Sequence, residues 1–220
     1  NNAEWAAEFY VIMHALASYV DNKLSMKKKV FWLAERAREH LPDESYVAGM
    51  VDFIKAEYER NPDKNNWEVT RDAVYERYQE GGSDGYVYNQ PFDAGINFSA
   101  GLISLFYGEG DLARTIRIGS LTGWDSDNPT ATWGGLIGFI LGRKGVEKAF
   151  EKTGLSDTYW ISRTRRNFPD RTPDEAGDDT FQLMAERAIY IIDRVVIEEM
   201  SGGVDLEKDV WYIPDLGDRY

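Results

Sequence analysis

The sequence contains no cysteine. Disulfides, thiolate nucleophiles and cysteine-ligated zinc are thereby excluded. Histidine is almost as scarce. His14 and His40 are the only two, too few for a histidine metal cage and poor material for a Ser-His-Asp triad. No apolar run reaches the roughly 18–20 residues that a membrane-spanning helix requires, so no membrane partner is expected. Basic residues are outnumbered, with 25 Lys and Arg against 38 Asp and Glu and a formal net charge of -13. A nucleic-acid partner is not expected either, because it would need a basic stripe to displace counterions and none is visible. Strand-like alternation of apolar and polar residues is nearly absent.

What is present points to a folded, helical chain. Seven Trp and thirteen Tyr supply large apolar surfaces for a core. Apolar residues at Trp5, Phe9, Ile12, Met13, Leu16 and Tyr19 predict a helix over 4–20. A second is predicted over 26–41, and a third, capped by Asp43, through Arg60. A fourth is expected over 67–78. Residues 81–91, GGSDGYVYNQP, read as a loop with a short strand at Tyr86–Tyr88. A mostly small or apolar helix over 92–107 should end at a left-handed Gly108, and Asp111 should open another to about Leu121.

Further on, a helix to Leu141 closed by Gly142 and a short one over 146–152 precede an irregular stretch, 154–177, with Arg163, Arg165 and Arg166. Asp179 and Gln182 have capping-box spacing ahead of the last helix. In the polar tail, Trp211, Tyr212 and Ile213 form an expected docking point. The fold class is all-α, a compact multi-helix bundle forming a single domain over 1–220.

One segment carries chemistry: GWDSDNPTATWGGLIGFILG, residues 123–142. Pro129 suits the first helical position and Asn128 the cap before it. The following helix is apolar nearly all round and should be buried. Gly134, Gly135 and Gly138 each cost about 1 kcal/mol relative to Ala, which points to close approach by a neighbouring helix or a ligand. Asp125 and Asp127 lie in the turn feeding this helix, where both carboxylates can aim at one point. Two like charges there repel unless something positive compensates, either the helix N-terminus or a hard cation such as Mg²⁺.

This segment, with the upstream run FDAGINFSAGLISLFYGEGDLARTIRIGSLTGWDSD, resembles the ADP-ribosylglycohydrolase family over about residues 92–142. The resemblance implies an all-helical bundle that binds two Mg²⁺ ions (Mn²⁺ is an alternative) and hydrolyses a ribosyl N- or O-glycosidic bond. It makes Asp125 and Asp127 metal ligands. Where the family often has Thr or Ser this chain has Asn128, whose amide either ligates or caps the helix. Asp93 and Asn97, four apart on one helix face, either line the cleft or act as caps. Tyr86, Tyr88 and Phe92 either stack on the substrate or pack the loop, and Trp124 either walls the site or fills core.

The family's other, N-terminal Asp-Asp motif is not found. Asp178-Asp179-Thr180 has the letters but reads as a capping segment. The expectation is therefore that the N-terminal part of the fold is supplied by a second polypeptide. The substrate expected is a small ribosyl compound or an ADP-ribosylated protein. A non-catalytic binding or structural relative of the same fold is the competing reading.

Overall fold

The computed structural model describes residues 2–159 and 179–214. The chain divides into two compact units, Asn1–Thr153 and Gly154–Tyr220.

The first unit is built from α1 (Asn2–Ala17), α2 (Met26–Arg38), α3 (Tyr46–Arg60), α4 (Glu68–Val74), α5 (Ala94–Gly108), α6 (Leu112–Thr122) and α7 (Asp127–Ala149). α5 is its axis. Its sequence, AGINFSAGLISLFYG, carries no charge, and every residue from Gly95 to Gly108 is buried. A helix apolar all round has no face for water, and α1, α3, α4, α6 and α7 pack around it. Small residues allow the closest approaches. A Cβ on Gly108 would overlap Thr115 of α6, one on Gly119 of α6 would overlap Thr130 of α7, and one on Gly101 would meet Pro129. α7 is pinned to α5 by Trp133, whose Nε1–H donates to Gly101 O at 2.7 Å.

Several expectations need correction. α7 is buried along one face only, through Pro129, Thr130, Trp133, Leu136 and Ile137, while Phe139 is 63% exposed. Gly135 has open space and Gly134 and Gly138 meet only ordinary contacts, so the tight glycines are on α5 and α6. The left-handed residue after α5 is Glu109, with φ +53, not Gly108. Ser45 rather than Asp43 caps α3, and Asp43 pairs with Arg38 at 2.9 Å. Tyr86–Tyr88 is not a strand.

α4 does not end where a regular helix would. It continues as a π-helical turn over Tyr75–Glu80, in which Gly81 N–H donates to Glu76 O, five residues back, at 3.0 Å. The loop beyond it is tied back through Asp84, which accepts from Arg77 Nη2 at 3.0 Å and Tyr78 Oη at 2.9 Å.

In the second unit, β1 (Thr158–Tyr159) pairs antiparallel with β2 (Asp179–Thr180), and α8 (Phe181–Glu198) follows. Thr180, not Asp179, caps α8, accepting from Leu183 N–H at 3.1 Å. β3 (Gly203–Asp205) pairs antiparallel with β4 (Val210–Tyr212). Trp211 Nε1–H donates to Asp193 of α8 at 2.8 Å, so the expected docking residue is engaged by the last helix. Arg163, Arg165, Arg166 and Asp178 lie outside the described residues.

Candidate metal and substrate site

The site is a turn between two helices. α6 ends at Thr122; Gly123 (φ +106) and Trp124 (φ +52) then reverse the chain, and α7 starts at Asp127. A left-handed backbone is rare for a bulky residue and costs on the order of 1–3 kcal/mol. Here it is held from two sides. Trp124 Nε1–H donates to Gln79 Oε1 in the π turn at 2.8 Å. Asp125 N–H donates to Asn97 Oδ1 on α5 at 2.9 Å.

Asp125 and Asp127 emerge from this turn with both side chains exposed. The carboxyl of Asp125 is held above its ordinary value, first by the hydrogen-bonded approach of the Asp127 carboxyl, then by burial and by repulsion from the same group. Asp127 is also the first residue of α7, where the helix dipole favours negative charge. Ser126 occupies the cap position without a side-chain cap bond, so Asn128 lies inside the first turn rather than capping it. Pro129 remains in that first turn, where no N–H is required. Among the described residues, no group of three or more His, Cys, Asp or Glu side chains gathers to hold a metal.

Asp125 and Asn128 open onto a cavity of about 280 Å³. Its other walls are Ala3, Ala6, Ala7 and Tyr10 of α1, Phe92 and Ala94 at the head of α5, Asn97, Phe98 and Pro129. Phe92 is 66% exposed, so it is free to meet a ligand. Asn97 is already committed: besides bonding Asp125, its Nδ2 donates to Pro91 O at 2.8 Å and Asp93 O at 3.0 Å. Asp93 caps α5 through Gly95 N–H at 2.8 Å and accepts from Tyr86 Oη at 2.9 Å. Tyr88 and Trp124 are partly buried against the core and do not line this cavity.

Two residues escaped the sequence reading. Tyr10 packs its ring 5.0 Å from Trp133 and 5.6 Å from Phe98, and burial pushes its phenol well above the ordinary range, so it stays protonated. The spacing of Ala3, Ala6, Ala7 and Tyr10 is a helical face in its own right, and could have been read as a second, small-residue stripe. Gln79 gave no signal, because its partner is 45 residues away.

The site is thus a pair of acids where the turn enters α7, in a mostly helical unit, with a cavity beside Asp125. No curated protein and no solved structure matches the chain. The sequence profile of the family described as ADP-ribosylglycohydrolase matches residues 1–184. The chain belongs to that family, and its mostly helical structure is the all-α fold expected of it. Membership makes it an ADP-ribosylglycohydrolase-type hydrolase, which acts on glycosidic bonds.

Proposed function

We propose that the chain carries one ligand set of a Mg²⁺-dependent hydrolase that cleaves a ribosyl N- or O-glycosidic bond in an ADP-ribosyl or related small glycoside. The observation that carries this is the turn that delivers Asp125 and Asp127, two apart, into the start of α7, with Asp125 and Asn128 lining the cavity; the Asp127 carboxyl holds that of Asp125 above its ordinary value. Two adjacent carboxylates with an amide beside them are an all-oxygen donor set, which suits a hard cation. Asp125, Asp127 and the Asn128 amide would hold it.

When bound, Mg²⁺ supplies a Lewis acid and lowers the pKa of a ligated water. The protein side chains do the rest. Asn97 fixes the backbone of Asp125, and Phe92 offers a ring face at the cavity edge. Tyr10 contributes a neutral phenol to the cavity wall. A second ion, and the further carboxylates it needs, belong to a second polypeptide in this reading.

Non-denaturing mass spectrometry of the isolated assembly tests it. The expected result is a second polypeptide, with metal mass that chelator removes and that Asp125→Ala with Asp127→Ala abolishes. A chain of 25.1 kDa that carries no metal and releases no ADP-ribose from an ADP-ribosylated protein would overturn it, in favour of a non-catalytic relative.

A further inference from the structure

The geometry points to Gln79 as a positioning residue for the Asp125–Asp127 pair, acting through the indole of Trp124. This rests on the metal-site reading above. Three observations lead to it.

First, Trp124 immediately precedes Asp125, so whatever fixes its backbone fixes the direction in which Asp125 leaves the turn. That backbone is left-handed, φ +52, which a bulky side chain does not adopt unless its surroundings impose it. Secondly, the only hydrogen-bonding atom of the indole is bound. Nε1–H donates to Gln79 Oε1 at 2.8 Å, so the ring is oriented by a polar contact as well as by packing. Thirdly, Gln79 lies in the π turn Tyr75–Glu80. Such turns are rare and insert one residue into a helix, which swings the following side chains round the axis. The same turn is anchored by Arg77 and Tyr78 to Asp84. Gln79 therefore sits on a fixed support.

The turn is thus gripped twice. Asn97 holds the peptide of Asp125 from α5, and Gln79 holds the indole of Trp124 from the π turn. The grip from α5 sets where the Asp125 backbone lies. The grip from the π turn sets the twist of the peptide entering it, and so the angle between the two carboxylates. Groups that orient ligands from behind typically matter about 10–100-fold in metal affinity.

The test is Mn²⁺ binding to the full chain, with any co-purifying polypeptide, followed by the electron paramagnetic resonance of free Mn²⁺ and paired with thermal melting. Trp124→Phe removes the N–H and keeps an aromatic ring. Gln79→Leu removes the acceptor, and Gln79→Glu restores one. Trp124→Phe and Gln79→Leu should each weaken Mn²⁺ binding about 10-fold. The double variant should be no weaker than either alone, and Gln79→Glu should bind like the parent. Should Gln79→Leu fold poorly, Trp124→Phe with an unchanged melting temperature still decides. Unchanged affinity in Trp124→Phe, or additive losses in the double variant, overturns the assignment. If the parent binds Mn²⁺ and Asp125→Ala does not, such a result removes Gln79 alone. A parent that binds no Mn²⁺ removes the metal reading with it.

Discussion

Asn97 shows how a single buried amide can hold a site together. Only 8% exposed, it receives Asp125 N–H and donates to the carbonyls of Pro91 and Asp93. Asn97→Leu would take their side-chain partner from the Asp125 N–H and the Pro91 carbonyl, while Asp93 O keeps the Asn97 backbone N–H. The expected cost is about 1–3 kcal/mol. For a chain of this size that lowers the melting temperature by about 2–4 °C per kcal/mol, read by differential scanning calorimetry. At this scale the sequence was legible where the chemistry is local. Asp125 and Asp127 stand two apart, and their type and spacing name them. Asn97 was legible as a member of the site, but its commitment to backbone groups depends on where α6 delivers the turn. Tyr10 carried only the signal of a small-residue helix face, and Gln79 carried none, because its partner Trp124 lies 45 residues away in the turn.

Among the elements, the largest surprise is which helix is central. Composition alone favoured α7, whose residues 131–141 are almost all apolar or glycine. α5 takes the axis instead, because it lacks charge over its whole length and carries small residues where its neighbours cross. α7 turns an apolar side outward, with Phe139 exposed. Helix existence was readable from periodicity, and so was the Asp111 cap of α6; other caps were not, since Ser45, Ser126 and Thr180 begin helices one or two residues from where the strongest local signals lay. The α5–α6 crossing supplies a test. In an open helix, Gly→Ala stabilises by about 1 kcal/mol. At Gly108 the added methyl overlaps Thr115. Gly108→Ala should therefore destabilise the protein, by about 1–3 kcal/mol as for other overpacked contacts, in a urea titration. Stabilisation would mean that the crossing is looser than described.

For the molecule as a whole, the principal core lies entirely within the first unit, from Ala6 to Ile137. Glu109 fastens three parts of that unit at its surface. It accepts from Tyr58 of α3 and from Lys27 of α2, the latter at 2.9 Å, and stands at the left-handed exit of α5. Burial alone would raise its carboxyl, but the bonds from Tyr58 and Lys27, with the charges of Lys27 and Arg114, outweigh it and leave it below the ordinary value of 4.5. A carboxyl depressed by folding stabilises the protein above its unfolded pKa. That contribution is lost as pH falls through the lower, folded value. Glu109→Gln keeps the shape and abolishes the titration. Denaturant melts at neutral pH and at pH values below the ordinary carboxylate range should show the parent losing more stability than the variant. Equal losses would place the acid sensitivity elsewhere among the 38 acidic residues.

The π turn has a genetic consequence. A regular α-helix advances about 100° per residue, and the turn over Tyr75–Glu80 accommodates one residue more than that winding allows. Loss of a single codon within it would heal the helix into an ordinary one while rotating Gln79 away from the indole it binds. The support of the aspartate turn is thus one small deletion from disappearing.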